Sequence, residues 1–359
     1  MPLVLSINPG STSTKLAIYD GDHLVTKQSI AHDGDRLATL GSLMQQVPLR
    51  KKNILEFLDH AGYELSQFDA FAARGGILPP LESGTYRVNE QMVEYLKDHS
   101  PVEHASNLAA VLAWEFATTV HKPAFITDPV SVDEFHALSR YSGLPEIPRK
   151  SLLHALNMKA VSRKVAREIG KPYAECNFVV AHLGGGISIG AQRRGRLVDV
   201  NNANDEGPFS PERTGALPCG DVVKMAFSGE YAHKELKRLF TKRGGLTAYL
   251  NTNSFQKAYD MGRNDPHAAE VIEAMAFQIS KEIGGMCAVL EGNIDAIILT
   301  GGIAHHVEFV EKIKGYVSRF ALVTLVPGED ELEALATGTL RVLEGQEDSR
   351  TFVFQGVKE

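Results

Sequence analysis

One sequence pattern occurs twice in this chain, once at the start and once near the middle, over residues 3–22 and 178–196. Each copy is an apolar segment, a loop of glycine or small polar residues, a second apolar segment and a tight turn. The turns, Asp20-Gly21 and Arg194-Gly195, are typical of β-hairpins, and a further apolar segment follows each. Two β-meanders of one design predict a duplicated protein of two domains.

The rest of the chain alternates between helical and strand-like patterns. Apolar residues spaced by three or four predict a helix over 270–291, and a helix over 107–120 precedes a predicted strand over 124–127. Further strands are predicted over 295–299 and 322–326. This alternation predicts an α/β protein, with helices layered on sheets.

A length of 359 residues fits two domains of ordinary size. Residues 141–148 are rich in helix breakers and suggest a boundary. We therefore expect an N-terminal domain over 1–145 and a C-terminal domain over 146–331. The last segment, about 332–359, is expected to pack back on the first domain.

Charge and composition exclude several classes of function. The net charge of −7 provides no global positive field for nucleic acid or an anionic membrane. No stretch approaches the roughly 20 apolar residues needed to span a bilayer, and the N-terminus lacks the basic and apolar regions of a secretion signal. The three cysteines are far apart and form no CxxC pair. These features favour the reducing environment of the cytoplasm.

The loop of the first repeat, residues 8–15, combines one glycine with several hydroxyls and ends at Lys15. Glycine lets a backbone approach a phosphate, and hydroxyl and amide groups donate to its oxygens. A polar hairpin with a surface lysine is the alternative, but a second glycine-rich loop at the matching place favours phosphate binding. The chain contains no P-loop motif. Gly184, Gly186 and Gly190 miss the dinucleotide motif by one place and lead into a strand instead of a helix.

Two phosphate hairpins in duplicated domains, with a late Gly301-Gly302 turn after a strand, favour the two-domain actin, Hsp70 and sugar-kinase architecture, a ribonuclease H-like fold. The sequence resembles the acetate/butyrate kinase family, most closely its butyrate kinase branch. The segments Leu5-Ser-Ile-Asn-Pro-Gly-Ser-Thr-Ser-Thr-Lys15 and Phe178-Val-Val-Ala-His-Leu-Gly-Gly-Gly-Ile-Ser-Ile-Gly-Ala191 carry this resemblance. A third, Asp199–Arg213, is similar to the butyrate kinase form of an arginine-bearing segment.

The resemblance implies reversible transfer of a phosphoryl group from ATP to a short carboxylic acid, which yields ADP and an acyl phosphate. Arg74 matches the arginine that holds the carboxylate, and Arg213 the one that braces the transferring phosphoryl. His154 matches a histidine that hydrogen-bonds the phosphoryl, and Asp128 an acidic residue near Mg²⁺ or the substrate. From the residues alone, either arginine is more typical of a surface ion pair, and Asp128 of a turn cap.

The resemblance also implies binding positions for ATP and Mg²⁺. The expected Mg²⁺ ligands are Asn8 and Glu331, with Glu329 as a near alternative to the latter. The residues expected to contact the nucleotide are Ser11, Ser13, Lys15, His182, Gly184, Gly185, Gly186, Gly301, Gly302 and Ile303. Residues 244–251 are a further candidate wall of the nucleotide site.

The expected function is phosphorylation of butyrate or isobutyrate, and an acetate or propionate kinase is the alternative. A nucleotide-gated scaffold of the same fold is a rival from another class, but a scaffold has no need for the set Arg74, Asp128, His154 and Arg213. The expected partners are the acid and its acyl phosphate, with no nucleic acid and no membrane. The resemblance implies a homo-oligomer, a dimer or larger.

Overall fold

The protein is described by a computed structural model over residues 1–354. The chain divides into two compact units: Met1–Val132 together with the segment that begins at Asp330, and Asp133–Glu329. The sequence placed the divisions after residues 145 and 331. Residues 355–359, the end of the segment assigned to the first domain, lie outside the described residues.

The strands and helices alternate along the chain, as the sequence predicted. The strands are β1 (Leu3–Pro9), β2 (Ser13–Asp20), β3 (His23–Ala31), β4 (Ala70–Ala73), β5 (Thr85–Arg87), β6 (Ala124–Thr127), β7 (Asn177–Leu183), β8 (Ile187–Arg193), β9 (Arg196–Val200), β10 (Ala296–Gly301), β11 (Val323–Pro327) and β12 (Arg350–Thr351). The helices are α1 (Gly34–Ala38), α2 (Val47–Ala61), α3 (Glu90–Glu94), α4 (Asn107–Val120), α5 (Ala155–Glu168), α6 (Cys219–Ala226), α7 (His233–Lys242), α8 (Gly245–Leu250), α9 (Phe255–Met261), α10 (Pro266–Val289), α11 (Val307–Val317) and α12 (Glu331–Leu343).

Each unit is built on one sheet, and the two sheets share a topology. The first unit has the order β12-β5-β6-β4-β1-β2-β3, and the second has β11-β10-β7-β8-β9. In both, three parallel strands (β6-β4-β1 and β11-β10-β7) continue into an antiparallel meander (β2-β3 and β8-β9). The duplication predicted from the two hairpins is therefore confirmed.

The two meanders also share a local irregularity. The pairing of β2 with β3 shifts between Ile18 and Tyr19, and that of β8 with β9 shifts between Ala191 and Gln192. These bulges lie at the same place, since Ile18 is opposite the third residue of β1 and Ala191 is opposite the third residue of β7. The repeat therefore extends to the twist of the hairpins, because a bulge increases local twist.

The first sheet carries helices on both faces. Leu5, Ile7, Leu16 and Ile18 pack with α2 and α4 in one continuous core. On the opposite face α12 approaches β6 so closely that a Cβ at Gly338 would lie 2.3 Å from the Thr127 side chain. Burial of both faces explains why β1 and β4 are apolar almost throughout instead of alternating.

The second sheet is covered in the same way. Val179, Ala181 and Leu183 of β7 face the core formed by α10 and α11. Helix α5 packs on the other face, where Met158 lies against Gly190 of β8. The predicted helix over 270–291 corresponds to α10, and the apolar residues that predicted it are buried. Within residues 1–354, no helix combines the length and the apolar composition that a bilayer span requires.

Candidate functional site

The first predicted phosphate loop joins β1 to β2. Asn8 and Lys15 are cross-strand partners and therefore lie on the same face of the sheet. Asn8 is buried and Lys15 is exposed, while Ser11 is exposed and Ser13 is half-buried at the loop. The amide of Gly10 donates to the carbonyl of Ser13 at 2.7 Å and closes the loop.

A cluster of three predicted site residues forms beside Asn8. Nη1 of Arg74 lies 2.6 Å from Oε1 of Glu331, and the Asn8 amide donates to Oε2 of the same carboxylate. Arg74 directly follows β4, and Glu331 is the first residue of α12. The parallel pairing of β1 with β4 brings their carboxyl ends together, and α12 begins there. The structure therefore unites the predicted acid-binding arginine with both predicted metal ligands.

Asp128 lies just after β6, in a left-handed conformation with φ of 40°. It is buried, its Oδ1 accepts from the amide of Gly84 at 2.8 Å, and its own amide donates to the Gly84 carbonyl. The next residue, Pro129, packs on Gly75 so closely that a Cβ there would lie 2.3 Å from Cβ of Pro129. Asp128 thus anchors the turn that supports the Arg74 loop, and strain of this kind is common at functional sites.

In the second unit the two predicted histidines stack on each other. The imidazole rings of His154 and His182 are 3.9 Å apart between centroids and inclined by 11°. Nδ1 of His154 lies 2.9 Å from the Ser188 hydroxyl, and Nδ1 of His182 lies 2.8 Å from the amide oxygen of Asn157. Because an amide oxygen only accepts, Nδ1 of His182 carries the proton. Both ring planes are therefore fixed by neighbours.

The second glycine loop carries Arg213 directly against it. A Cβ at Gly186 would lie 2.6 Å from Nη1 of Arg213, so the guanidinium covers this residue. The same nitrogen donates to the Ala203 carbonyl at 2.9 Å, and the Ser210 hydroxyl donates to the Gly185 carbonyl at 2.7 Å. Burial lowers the pKa of Arg213. Gly185 is exposed, so this loop combines a backbone that a ligand can reach with the positive charge of Arg213.

Two further glycine segments shape this unit. Gly301 has φ of 88°, and a Cβ there would lie 2.4 Å from the Leu183 carbonyl, so only glycine fits after β10. Gly302 is exposed, whereas the Ile303 side chain is buried in the core. Gly245 packs against the Ser210 carbonyl with φ of 57°. The candidate wall 244–251 therefore supports the turn that carries Arg213.

The structure separates the two candidate glutamates. Glu331 belongs to the first unit and contacts Asn8, whereas Oε2 of Glu329 belongs to the second unit and lies 3.5 Å from Nε2 of His182. The positions of Asn8 and His182 are equivalent, since each is the sixth residue of the first strand of its repeat.

Arg50, which is fully buried in α2, belongs to none of the sequence motifs described above. Its guanidinium donates to the Gly10 and Ser13 carbonyls of the first loop, each at 2.9 Å. A signal was present in the sequence. Arg50 occupies the buried stripe of its helix, between Val47 and Ile54, where the spacing predicts an apolar residue.

Known proteins are similar to this chain in sequence. The sequence model of the acetokinase family matches residues 106–339. A Thermotoga maritima protein named "Probable butyrate kinase 1" is 52% identical over 349 residues, which cover 97% of this chain and 98% of that protein.

Solved structures agree at the level of the fold. The crystal structure of Porphyromonas gingivalis acetate kinase matches with a TM-score of 0.78 and 17% identity, covering 96% of this chain and 100% of that chain. A propionate kinase from Francisella tularensis subsp. tularensis matches with a TM-score of 0.74 and 17% identity, covering 94% and 99%. The predicted duplicated fold is confirmed, and by the family match and the 52% identity this chain belongs to the acetokinase family.

Proposed function

We propose that this protein transfers the γ-phosphoryl group of ATP to the carboxylate of a short-chain fatty acid, butyrate or isobutyrate, and catalyses the reverse reaction. The observation that carries the proposal is the 52% identity, over nearly the whole length of both chains, to a protein named probable butyrate kinase. The clustering of Arg74, Asn8 and Glu331, and of His154 with His182, supports it.

The chemistry explains why cations are needed more than a strong base. A carboxylic acid is ionised at neutral pH, so no side chain has to remove its proton. The barrier arises from bringing one anion against another, which makes positioning and charge neutralisation the main contributions. Arg74, Lys15 and Arg213 supply positive charge, and His154 supplies a hydrogen bond.

In the first unit we assign acid binding to Arg74. A guanidinium binds a carboxylate through two parallel hydrogen bonds, so it fixes both the position and the direction of the nucleophilic oxygen. The ion pair with Glu331 supports this assignment, because the guanidinium already binds a carboxylate there. Asp128 acts through Pro129 and Gly75 as a support of that loop.

In the second unit we assign the transferring phosphoryl group to Arg213 and His154. Ser188 fixes one ring nitrogen of His154, and stacking on His182 fixes the plane of the ring. Arg213 is partly buried against Gly186. It therefore interacts more strongly with a charge that develops nearby than a fully solvated arginine would. Gly184, Gly185 and Gly186 let the backbone approach the phosphates.

Asn8 and Glu331 fit a magnesium ion. Both provide oxygen ligands, and Mg²⁺ is usually held by one or two carboxylates together with phosphates and water. Within residues 1–354, no group of three or more His, Cys, Asp or Glu side chains is arranged to hold a metal. When bound with ATP, Mg²⁺ neutralises charge on the phosphate oxygens.

The nucleotide is assigned to both glycine loops and to the turn after β10. Ser11, Ser13 and Lys15 of the first loop donate to the phosphates. The exposed Gly302 lets adenosine approach the backbone. The side chain of Ile303 acts from the core by holding this turn in place, because it is buried.

We further propose a cytoplasmic homo-oligomer, a dimer or larger. The three cysteines are free thiols, which is compatible with a reducing compartment. Val223 and Phe227 of the second unit are 56% and 86% exposed, and a second copy of the chain would cover them. Sedimentation velocity measures the assembly directly, and a monomer at micromolar concentration would contradict this part of the proposal.

The test of the function is direct detection of the acyl phosphate. Purified protein is incubated with MgATP and acids of two to six carbons, and the acyl phosphate is trapped with hydroxylamine as a hydroxamate. The proposal predicts a hydroxamate with butyrate and none without ATP. ATP hydrolysis without a hydroxamate would favour the scaffold, and a hydroxamate with acetate or propionate but not butyrate would favour the alternative kinase.

A further inference from the structure

A buried arginine lies behind the first phosphate loop and has no part in the reaction as assigned above. The Arg50 side chain is fully buried, and burial lowers its pKa to about 10, so it remains a cation at neutral pH. Among residues 1–354, no carboxylate forms an ion pair with it, and all its contacts are to neutral oxygens. An uncompensated buried cation is costly, which makes a structural role alone an incomplete explanation.

Most of those oxygens belong to the loop itself. Nη2 donates to the carbonyls of Gly10 at 2.9 Å and Ser11 at 3.3 Å. Nη1 donates to the Ser13 carbonyl and to the Thr14 hydroxyl, each at 2.9 Å.

The guanidinium is also held by Gln46, the residue immediately before helix α2. Oε1 of Gln46 accepts from Nε of Arg50 at 3.2 Å and from Nη2 at 3.0 Å. Gln46 therefore orients the arginine without adding a charge.

These contacts determine which way the amides of the loop point. In a planar trans peptide the carbonyl of one residue and the amide of the next point in opposite directions. The Gly10 and Ser11 carbonyls point to Arg50, so the amides of Ser11 and Thr12 point away from it. Both residues are exposed, so these two amides are presented at the surface of the loop.

The second loop has a matching arrangement made from different residues. Gly185 is the second residue after β7, as Ser11 is the second after β1. Its carbonyl accepts from the Ser210 hydroxyl at 2.7 Å, so the amide of Gly186 points the opposite way. In each copy of the repeat, a side chain from outside the hairpin holds this carbonyl. Arg50 differs from Ser210 in adding a full positive charge.

We infer that Arg50 is a positioning residue for ATP: it turns the Ser11 and Thr12 amides towards the terminal phosphate and places a positive charge behind them. The inference rests on the proposed function, since it takes ATP as the ligand of the first loop. Arg50 does not touch the nucleotide, and its effect is transmitted through the loop backbone and through the electric field.

The test compares nucleotide binding and hydrogen exchange in four full-length proteins. They are the wild type, Arg50→Lys, Gln46→Leu and the control Arg341→Lys, which makes the same substitution in the same unit, at an arginine paired with Glu347. Calorimetry measures the dissociation constants of ATP, ADP and AMP. Hydrogen exchange of the peptides that cover residues 9–14 reports on loop order without ligand.

Arg50→Lys is expected to weaken ATP binding by about tenfold, because a lysine cannot hold three carbonyls, and to leave AMP binding unchanged. Exchange in residues 9–14 is expected to accelerate. Gln46→Leu should shift both readouts in the same direction by less, and it decides the test if the lysine variant does not fold. Arg341→Lys should change neither.

Equal affinities for all three nucleotides in Arg50→Lys and wild type would overturn the inference, as would an equal loss for ATP and AMP. Failure of the proposed function has a different signature. Wild-type protein that binds ATP but forms no hydroxamate contradicts the kinase assignment, while the binding comparison still reports on Arg50.

Discussion

Arg74 and Glu331 form an ion pair in which Nη1 and Oε1 are 2.6 Å apart. The sequence associated the two residues with different ligands, the acid and Mg²⁺. In this structure the Glu331 carboxylate occupies the guanidinium that the acid is proposed to bind. Acid binding therefore requires Glu331 to move or to share Arg74, and both of its oxygens are already engaged, one by Arg74 and one by Asn8.

Replacing Arg74 by alanine should weaken binding of the acid much more than binding of ATP. A charge-assisted contact of this kind contributes about 1.5–3 kcal/mol, which corresponds to a rise in the KM for butyrate of roughly 10- to 150-fold. Steady-state kinetics with each substrate varied in turn measures the two effects. Arg341→Ala is the matched control, and an unchanged KM for the acid would remove Arg74 from the site.

Neutralising Glu331 should weaken binding of Mg²⁺ without weakening binding of the acid. Glu331→Gln is expected to raise the Mg²⁺ concentration needed for half-maximal activity by about tenfold or more, since groups even one layer away from a metal change its affinity by 10- to 100-fold. Without metal, butyrate should bind this variant at least as well as the wild type, because the competing charge is gone. Calorimetry checks both constants. Weaker butyrate binding without metal would refute the competition between Glu331 and the acid.

Replacing Arg213 by alanine should lower kcat by about 100-fold or more, with little change in the dissociation constant of ATP. Its proposed contact strengthens as charge shifts in the transition state, and loss of one such donor typically costs that much. Arg193→Ala, at an arginine of the same unit that pairs with the exposed Glu291, is the control. Turnover near that of the wild type would exclude Arg213 from phosphoryl transfer.

Acidification should destabilise the first hairpin through His32. Nε2 of His32 lies 2.7 Å from the Thr14 hydroxyl, and burial, followed by the charge of Arg50, lowers the pKa of His32 below 6.5. The unfolded state therefore binds the proton more readily, and stability falls as the pH drops from 6.5 through the folded pKa.

Chemical denaturation at pH 7 and pH 5 tests this effect. The wild type should lose more unfolding free energy than His32→Gln over that interval, and NMR should place the His32 titration below 6.5. Equal losses in the two proteins would contradict the assignment.

The sequence was most informative where the pattern is local. Helix α4 and strand β6 have the bounds that the periodicity predicted, and both hairpins were identified from their turns. The fold class followed from the repeat, because two matching meanders leave few architectures open.

Contacts between segments that are far apart in the chain could not be predicted from the sequence patterns. The spacing within α2 marks Arg50 as a buried position, but the loop carbonyls that it holds lie about 40 residues away, and no local pattern identifies them. The pairing of β12 with β5 joins a late two-residue strand to a short early one, and neither carries a period long enough to detect. The sequence likewise did not reveal that Glu329 and Glu331 belong to different units.

The acid pocket is expected to admit a four-carbon chain because the loop after Arg74 is built from small and aliphatic residues. Gly76 lacks space for a Cβ, which would lie 2.6 Å from the Leu96 side chain. Ile77 is half-buried, and its backbone is fixed by Asn107 and Ser100. We therefore expect the side chain of Ile77 to limit the length of the acid, so that Ile77→Phe shifts preference towards shorter acids, with Ile77→Leu as the control.

The most direct test of the account is kcat/KM for a series of acids from acetate to hexanoate, measured by hydroxamate formation with saturating MgATP. Burying two additional methylenes contributes about 1.6 kcal/mol, so butyrate is expected to exceed acetate by roughly 15-fold. The account predicts a rise from acetate to butyrate or isobutyrate and a fall for longer acids. A wild-type enzyme that phosphorylates acetate more efficiently than butyrate would contradict it and establish the acetate kinase alternative.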